Sequence, residues 1–320
     1  PGRRRRCRLK VRWVWRIVGV LVLLLTPGVI YEQWSQAKDL ERYPPPGQRY
    51  DVGDHRLHLV CQGEGSPTVI LEASGLGDAT SYDGVLPLLA KRTRACAYDR
   101  AGMGYSERSS RALTSKVLAE ELEALVKAAK LEPPFVLAGA SVGALTVEMF
   151  ARRNPEQVAG LVFLDAVDSQ SLEVVGSEVA AMRFRACAAG WLGRVGLLRL
   201  IDPLKLSGLP AALTYRSAPF DAACSVLRHL PESDREHAAA PALRPDVPLL
   251  VLSHELPDDL LPPGETERAK AFEPEWQRLQ RAQAKRSSQG EQWTVAASGH
   301  LIAEDRPASV AQAIFDLLDR

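Results

Sequence analysis

A chain of 320 residues, 46% hydrophobic and 25% charged, has a globular composition. It is long enough for one large α/β domain or two small ones, and nothing in it points to disorder. Its formal net charge of +1 hides an asymmetry: eight of the 40 Lys/Arg fall within residues 1–16, which hold no acid, so the remainder is net −7 against 39 Asp/Glu. Such an acidic body excludes an electrostatic case for nucleic acid as a partner.

The basic block is Arg3 to Arg6 with Arg8, Lys10, Arg12 and Arg16, and an apolar run from Ile17 to Tyr31 comes directly after it. The charges favour the cytoplasmic side of a membrane, so the remainder of the chain is expected to cross. Trp13, Val14 and Trp15 lengthen the run if Arg16 snorkels, with Trp13, Trp15, Tyr31 and Trp34 at the two interfaces. Residues 1–37 are therefore expected to be an uncleaved signal anchor, or a signal peptide cut after Ser35-Gln36-Ala37. A cytoplasmic basic tail for nucleic acid is a third alternative. In the first two the body is membrane-anchored or exported and lies outside the cytoplasm. Residues 38–48, with Tyr43-Pro44-Pro45-Pro46-Gly47, read as a stiff spacer.

Arg49 to Asp51 and His55 to Cys61 predict a hairpin turning at Gly53-Asp54. Thr68 to Leu71 is a buried strand that runs into the Gly-rich loop Glu72-Ala73-Ser74-Gly75-Leu76-Gly77-Asp78. Thr93 to Tyr98 is the next strand, leading into Asp99-Arg100-Ala101-Gly102-Met103-Gly104-Tyr105-Ser106. Apolar residues at Leu118, Leu122, Leu125, Val126 and Ala129 predict a helix that Pro133-Pro134 stops. Further strands are expected at Phe135 to Ala138, Leu161 to Asp165, Leu249 to Ser253 and Trp293 to Ala296, with a closing amphipathic helix from Pro307 to Leu318. Strands alternating with helices predict a largely parallel sheet covered on both faces, with ligands bound beyond the carboxyl ends of its strands. Between residues 168 and 246 no strand pattern occurs, and Glu178 to Gly190 and Leu192 to Leu200 look helical. This stretch is expected to be a helical cap over a core made of 49–167 and 247–320; an ordinary decorated loop region is the alternative.

The candidate centre of the chemistry is Gly139-Ala140-Ser141-Val142-Gly143, entered by a strand and left by the helical run Ala144 to Phe150. G-x-S-x-G alone occurs by chance in about one chain of this length in ten. The flanking strand and helix make it a nucleophile elbow. Small residues around a strained turn leave Ser141 accessible, and the Val142 amide at the helix N-terminus can donate to a developing oxyanion.

Over residues 45–320 the chain resembles the α/β-hydrolase superfamily, on three segments in the expected order: the Asp99 to Ser106 stretch, which is similar to D-R-x-G-x-G-x-S, the elbow, and Ser298-Gly299-His300. It looks most like membrane-anchored or exported bacterial members. The resemblance implies an α/β-hydrolase fold: a mostly parallel eight-stranded sheet with helices on both faces and a helical cap insertion. Two positions depart from the family: Ser74-Gly75 stands where His-Gly is frequent, and Ala140 and Ala144 replace His and Gly around the elbow.

A serine hydroxyl needs a base. His300, late in the chain in a Gly-flanked loop, suits the order Ser, acid, His. His55 and His58 read as structural, His229 and His237 lie in the cap, and His254 comes after the seventh strand. For the acid, the usual family place is the loop after the seventh strand, where Glu255, Asp258 and Asp259 stand. Some relatives, haloalkane dehalogenases among them, use the end of the sixth strand, where Asp165 stands, and Asp165 is preferred. The oxyanion hole would comprise the amides of Val142 and, by position after Gly75, Leu76. Serine at the elbow implies acyl transfer to water rather than dehalogenation or epoxide opening, which use a carboxylate nucleophile in this family. The expected activity is hydrolysis of a carboxylic ester, with amide, thioester and lactone open, and perhydrolysis as a side activity of the same triad. The other class is a non-catalytic, membrane-tethered ligand-binding or scaffold protein on the same fold. Metal-ligand spacing and phosphate-binding glycine loops are both missing from the sequence, so no cofactor is implied; the expected partner is a small acyl substrate. In this fold the second and fourth strands are neighbours, so Cys61 and Cys96 could bond, as could Cys187 and Cys224 within the cap; buried free thiols are the alternative.

Overall fold

A computed structural model describes residues 2–174, 176–201, 215–255 and 266–320. The chain forms two compact units, one of residues 1–44 with 185–221, the other of residues 45–184 with 222–320.

The larger unit is built on an eight-stranded sheet of order β1-β2-β4-β3-β5-β6-β7-β8. The strands are β1 (Gln48–Asp51), β2 (Arg56–Gln62), β3 (Thr68–Glu72), β4 (Ala95–Tyr98), β5 (Phe135–Ala140), β6 (Val158–Leu164), β7 (Leu249–Glu255) and β8 (Gly290–Ala296). Only β2 runs antiparallel to its neighbours, β1 and β4; all other pairs are parallel. The central strands are apolar on both faces because both are covered. Ile70, Leu137, Phe163 and Val251 point into one core, with the helices Ser115–Ala128 and Gly143–Arg153. Val69, Val136, Val162 and Leu250 point into the other, with the helix Pro307–Leu318. This period of two is what a twice-covered sheet requires.

Cys61 and Cys96 face each other across β2 and β4 and are bonded; Cys187 and Cys224 are each disulfide-bonded too. Glu148, buried on the helix Gly143–Arg153, pairs with Arg152 at 2.6 Å and Arg286 at 2.7 Å, and Arg286 reaches Asp168 at 2.5 Å. Burial pushes the Glu148 carboxyl up, but the guanidiniums of Arg286 and Arg152 outweigh it and hold the group below its ordinary value. A cavity of about 320 Å³ is lined by Leu172, Val179, Leu227 and Leu230, with Arg183 and Asp234 beside them.

In the smaller unit the N-terminal helix runs from Gly2 to Arg42, past Ala37 and into the expected spacer. A Cβ at Gly28 would come within 2.3 Å of the Val195 carbonyl oxygen, so glycine permits a close approach to residues 195–199. Arg199 then bonds Glu32 at 2.7 Å and Asp39 at 2.5 Å. Thus part of the expected cap, 185–221, clusters with the N-terminal helix. Among the described residues, no helix is long and apolar enough to cross a membrane. Trp13, Trp15, Leu23, Ile30, Tyr31 and Trp34 on this helix are exposed.

Candidate active site

Parallel neighbours β5, β6 and β7 end side by side. Ala140 is in register with Leu164, and Leu164 with Leu252. The residues at and just past these ends are therefore adjacent: Ser141 after β5, Asp165 after β6, and His254, the last residue but one of β7. The Ser141 amide donates to the Leu164 carbonyl at 2.9 Å, and the Asp165 amide to Leu252 at 2.7 Å.

Ser141 and Asp165 both take left-handed backbone angles, φ +54° and +48°. So does Ala297 at +52°, just past β8. A non-glycine residue held there is strained, and such strain persists where surrounding contacts over-determine it. At Ser141 those contacts are tight. A Cβ at Gly139 would lie 2.7 Å from the Ala144 backbone, and one at Gly143 2.5 Å from the Ala73 carbonyl oxygen. The two elbow glycines thus let the strand, the helix and the loop after β3 meet.

That loop carries Leu76, half exposed, and a Cβ at Gly75 would come within 3.1 Å of the Val142 side chain. The segments bearing both candidate oxyanion donors are therefore neighbours, with Val142 capping the N-terminus of the elbow helix. The Asp99 to Ser106 stretch braces them. Arg100 donates to the carbonyls of Ala73 and Ser74, and its Nε lies 3.1 Å from Glu72 Oε1. Asp99 accepts from the amides of Ala79 and Tyr105, each at 2.7 Å, and lies 2.8 Å from His58 Nδ1.

The loop after β8 returns His300 to Asp165, with Nδ1 to Oδ2 at 2.5 Å. The Gly299 amide, bonded to Asp305 at 2.7 Å, helps hold this loop. Asp165 is fully buried and His300 about half exposed. The same Oδ2 faces His254 Nδ1 at 2.6 Å, while Oδ1 accepts the Trp276 indole N–H at 2.8 Å and the His254 amide at 3.2 Å. Burial pushes the Asp165 carboxyl up, but the hydrogen bonds from His254 and His300 outweigh it and hold it well below the carboxylate range. His254 Nε2 in turn faces Glu273 at 3.0 Å.

Of the other candidate acids, Glu255 is exposed at the end of β7, its carbonyl accepting the Ser298 amide. Asp258 and Asp259 lie outside the described residues. Ligand atoms of Asp165, His254 and His300 come within 4.8 Å of one another, a spacing that could suit a cation. Both ring nitrogens of His254 face carboxylates, however, so both carry protons and neither has a lone pair for a metal. Glu273 and Trp276 come from the helix Thr266–Ala284, which the hydropathy pattern of the sequence did not reveal. The clue available in the sequence was His254 itself, a titratable residue at the family's usual acid position.

A sheet in this order, carrying its chemistry along one rim, defines an α/β hydrolase. The family model described as the alpha/beta hydrolase family matches residues 65–313, and the chain belongs to that family. An uncharacterised protein of Bacillus subtilis is 27% identical over 261 residues, covering 80% of this chain and 85% of that protein. An uncharacterised protein of Schizosaccharomyces pombe is 28% identical over 230 residues, 60% of this chain, and the match spans only 43% of that protein's length. A thermophilic esterase from Thermogutta terrifontis shares the fold with a TM-score of 0.61 at 23% identity, over 85% of this chain and 98% of that one. The haloalkane dehalogenase DatA from Agrobacterium tumefaciens shares it with a TM-score of 0.63 at 19% identity, over 86% and 97%.

Proposed function

We propose that this hydrolase is a serine esterase that cleaves a carboxylic ester, or a related acyl bond, through an acyl-enzyme. Ser141 attacks the acyl carbon, and His300 takes its proton and later delivers it to the leaving group. Asp165 fixes the His300 tautomer through the Nδ1 contact and stabilises the imidazolium that forms. The amides of Val142 and Leu76 receive the oxyanion; one such donor contributes on the order of 3 kcal/mol to lowering the barrier. Water then attacks the ester of Ser141 by the same steps in reverse. The observation that carries this reading is the 2.5 Å pairing of His300 with a buried carboxylate, one strand from a strained serine. Serine at the nucleophile position separates the proposal from the dehalogenase among its neighbours. An amide is the alternative bond, favoured by 28% identity over 115 residues with a pyrrolizixenacetamide deacetylase of Xenorhabdus hominickii.

A fluorophosphonate probe tests the reading, and p-nitrophenyl esters of graded acyl length then define the acyl group. Labelling of the full chain that Ser141→Ala abolishes is the expected result. An unlabelled wild type overturns it in favour of a binding protein on the same fold. We propose also that the body works outside the cytoplasm, tethered through the N-terminal helix. The Cys61–Cys96 disulfide, the basic residues of 1–16 and the exposed tryptophans support this. Release of the full chain from membranes by alkaline carbonate refutes the tether.

A further inference from the structure

His254 occupies the place where the family's acid usually stands, and it is wired to the acid that stands one strand away. Its Nδ1 lies 2.6 Å from Asp165 Oδ2 and its Nε2 lies 3.0 Å from Glu273 Oε2. A neutral imidazole can donate from only one nitrogen. Carboxylate acceptors at both ends therefore require the imidazolium. Its surroundings agree: burial opposes the charge, but Asp165 and Glu273 outweigh it and hold His254 up to about 10. Glu273 is oriented by Gln277, whose amide donates both to Glu273 at 2.8 Å and to the His254 carbonyl at 2.6 Å. The Trp276 ring lies beside both imidazoles, with centroids 6.2 Å from His254 and 6.3 Å from His300. The charged and titratable groups facing His254 are thus Asp165 from the end of β6, Glu273 from the helix Thr266–Ala284, and His300 from the loop after β8.

We propose that His254, held as a cation by Glu273, is a positioning residue of the reaction: it locks the Asp165 carboxylate that orients His300, and its charge keeps His300 free to accept the Ser141 proton. This inference rests on the serine-esterase reading. The physical reason is that one carboxylate oxygen serves two imidazoles. With His254 cationic, a positive charge 2.6 Å from that oxygen already compensates Asp165 and repels a second positive charge placed on the same oxygen's other partner. The gain is activity at lower pH, from an Asp165 carboxylate that a charged partner fixes in place against His300.

The experiment compares wild type, His254→Asn and Glu273→Gln as full chains, recording kcat and KM for a p-nitrophenyl ester across pH. Asparagine keeps a neutral N–H donor near the Nδ1 position but carries no charge; glutamine keeps an acceptor without the charge. In His254→Asn the acid limb of the profile is expected to move up by about one pH unit, the lower end of the shift a nearby charge produces. The kcat on the plateau should fall about tenfold with KM changed less than threefold, and Glu273→Gln should shift the limb the same way by less. An unmoved or downward limb in His254→Asn overturns the proposal, whatever happens to stability. Imidazole NMR of Ser141→Ala gives a readout free of activity: His254 should keep both ring protons to pH 9. Loss of one below pH 8 overturns the proposal, while wild-type protein that no fluorophosphonate labels instead overturns the esterase reading.

Discussion

Replacing Asp165 by asparagine exchanges one oxygen for an NH2 group and should separate catalysis from folding by their magnitudes. Oδ2 serves His254 and His300, and Oδ1 serves the Trp276 indole and the His254 amide. An amide has one acceptor oxygen, so either flip leaves its NH2 opposed to two donors. Unpaired buried donors cost roughly 1–3 kcal/mol each, so a loss of about 2–6 kcal/mol in stability is expected. If the amide oxygen faces Trp276, its NH2 faces His300 and selects the tautomer that puts the proton on Nε2, where it cannot accept from Ser141. In a serine triad that change costs about four orders of magnitude in kcat, equivalent to about 5 kcal/mol in the barrier. Urea unfolding measures the first number and single-turnover acylation the second. Glu255→Gln, Asp258→Asn and Asp259→Asn should each keep kcat within about threefold. Should one of these three collapse kcat while Asp165→Asn keeps most of it, the acid has been misassigned and the reasoning from Asp165 fails.

The buried pair of Glu148 with Arg286 and Arg152 predicts that Glu148→Gln costs about 3 kcal/mol by urea midpoint at pH 7. Glu148 and Asp165 are both held below their ordinary values when folded. Their stabilisation is therefore complete above an unfolded value of about 4 to 4.5 and is lost as pH falls through the lower folded values, so the penalty of Glu148→Gln should shrink progressively as pH falls below about 4. The paired replacement Cys61→Ala with Cys96→Ala opens a link spanning 35 residues and should lower stability by about 4 kcal/mol on the loop-entropy account, read by urea unfolding without reductant.

Much of the sheet was legible because its strands are short apolar runs closed by Gly, Pro or Asp, as at Leu161 to Asp165. The antiparallel hairpin was legible from alternation around Gly53-Asp54. Ser141 and His300 stand in motifs whose spacing needs no tertiary contact to be noticed. The acid was harder, since Asp165, Glu255, Asp258 and Asp259 all come at or after strand ends and only a contact across the sheet distinguishes them. The helix Thr266–Ala284 is hidden in the sequence for a different reason. It is largely polar and carries Pro274, and its inward side presents Glu273, Gln277, Gln280 and Gln283 between Trp276 and Leu279. Amide side chains that bind carbonyls inside the fold, as Gln280 and Gln283 do at Ala166, look like solvated surface in a hydropathy pattern. The clustering of 185–221 with the N-terminal helix was equally hidden, because one glycine contact and the Arg199 pairs join segments over 150 residues apart.

Three of the eight strands deliver the chain into corners that suit glycine but are occupied by Ser141, Asp165 and Ala297. Each corner is uphill by roughly 1 kcal/mol or more and is held closed only by its neighbours. On warming, those neighbours are expected to loosen before the sheet dissolves. The rim would then relax toward ordinary geometry while the barrier-lowering arrangement came apart, so turnover in this molecule should fade at temperatures where its strands are still intact.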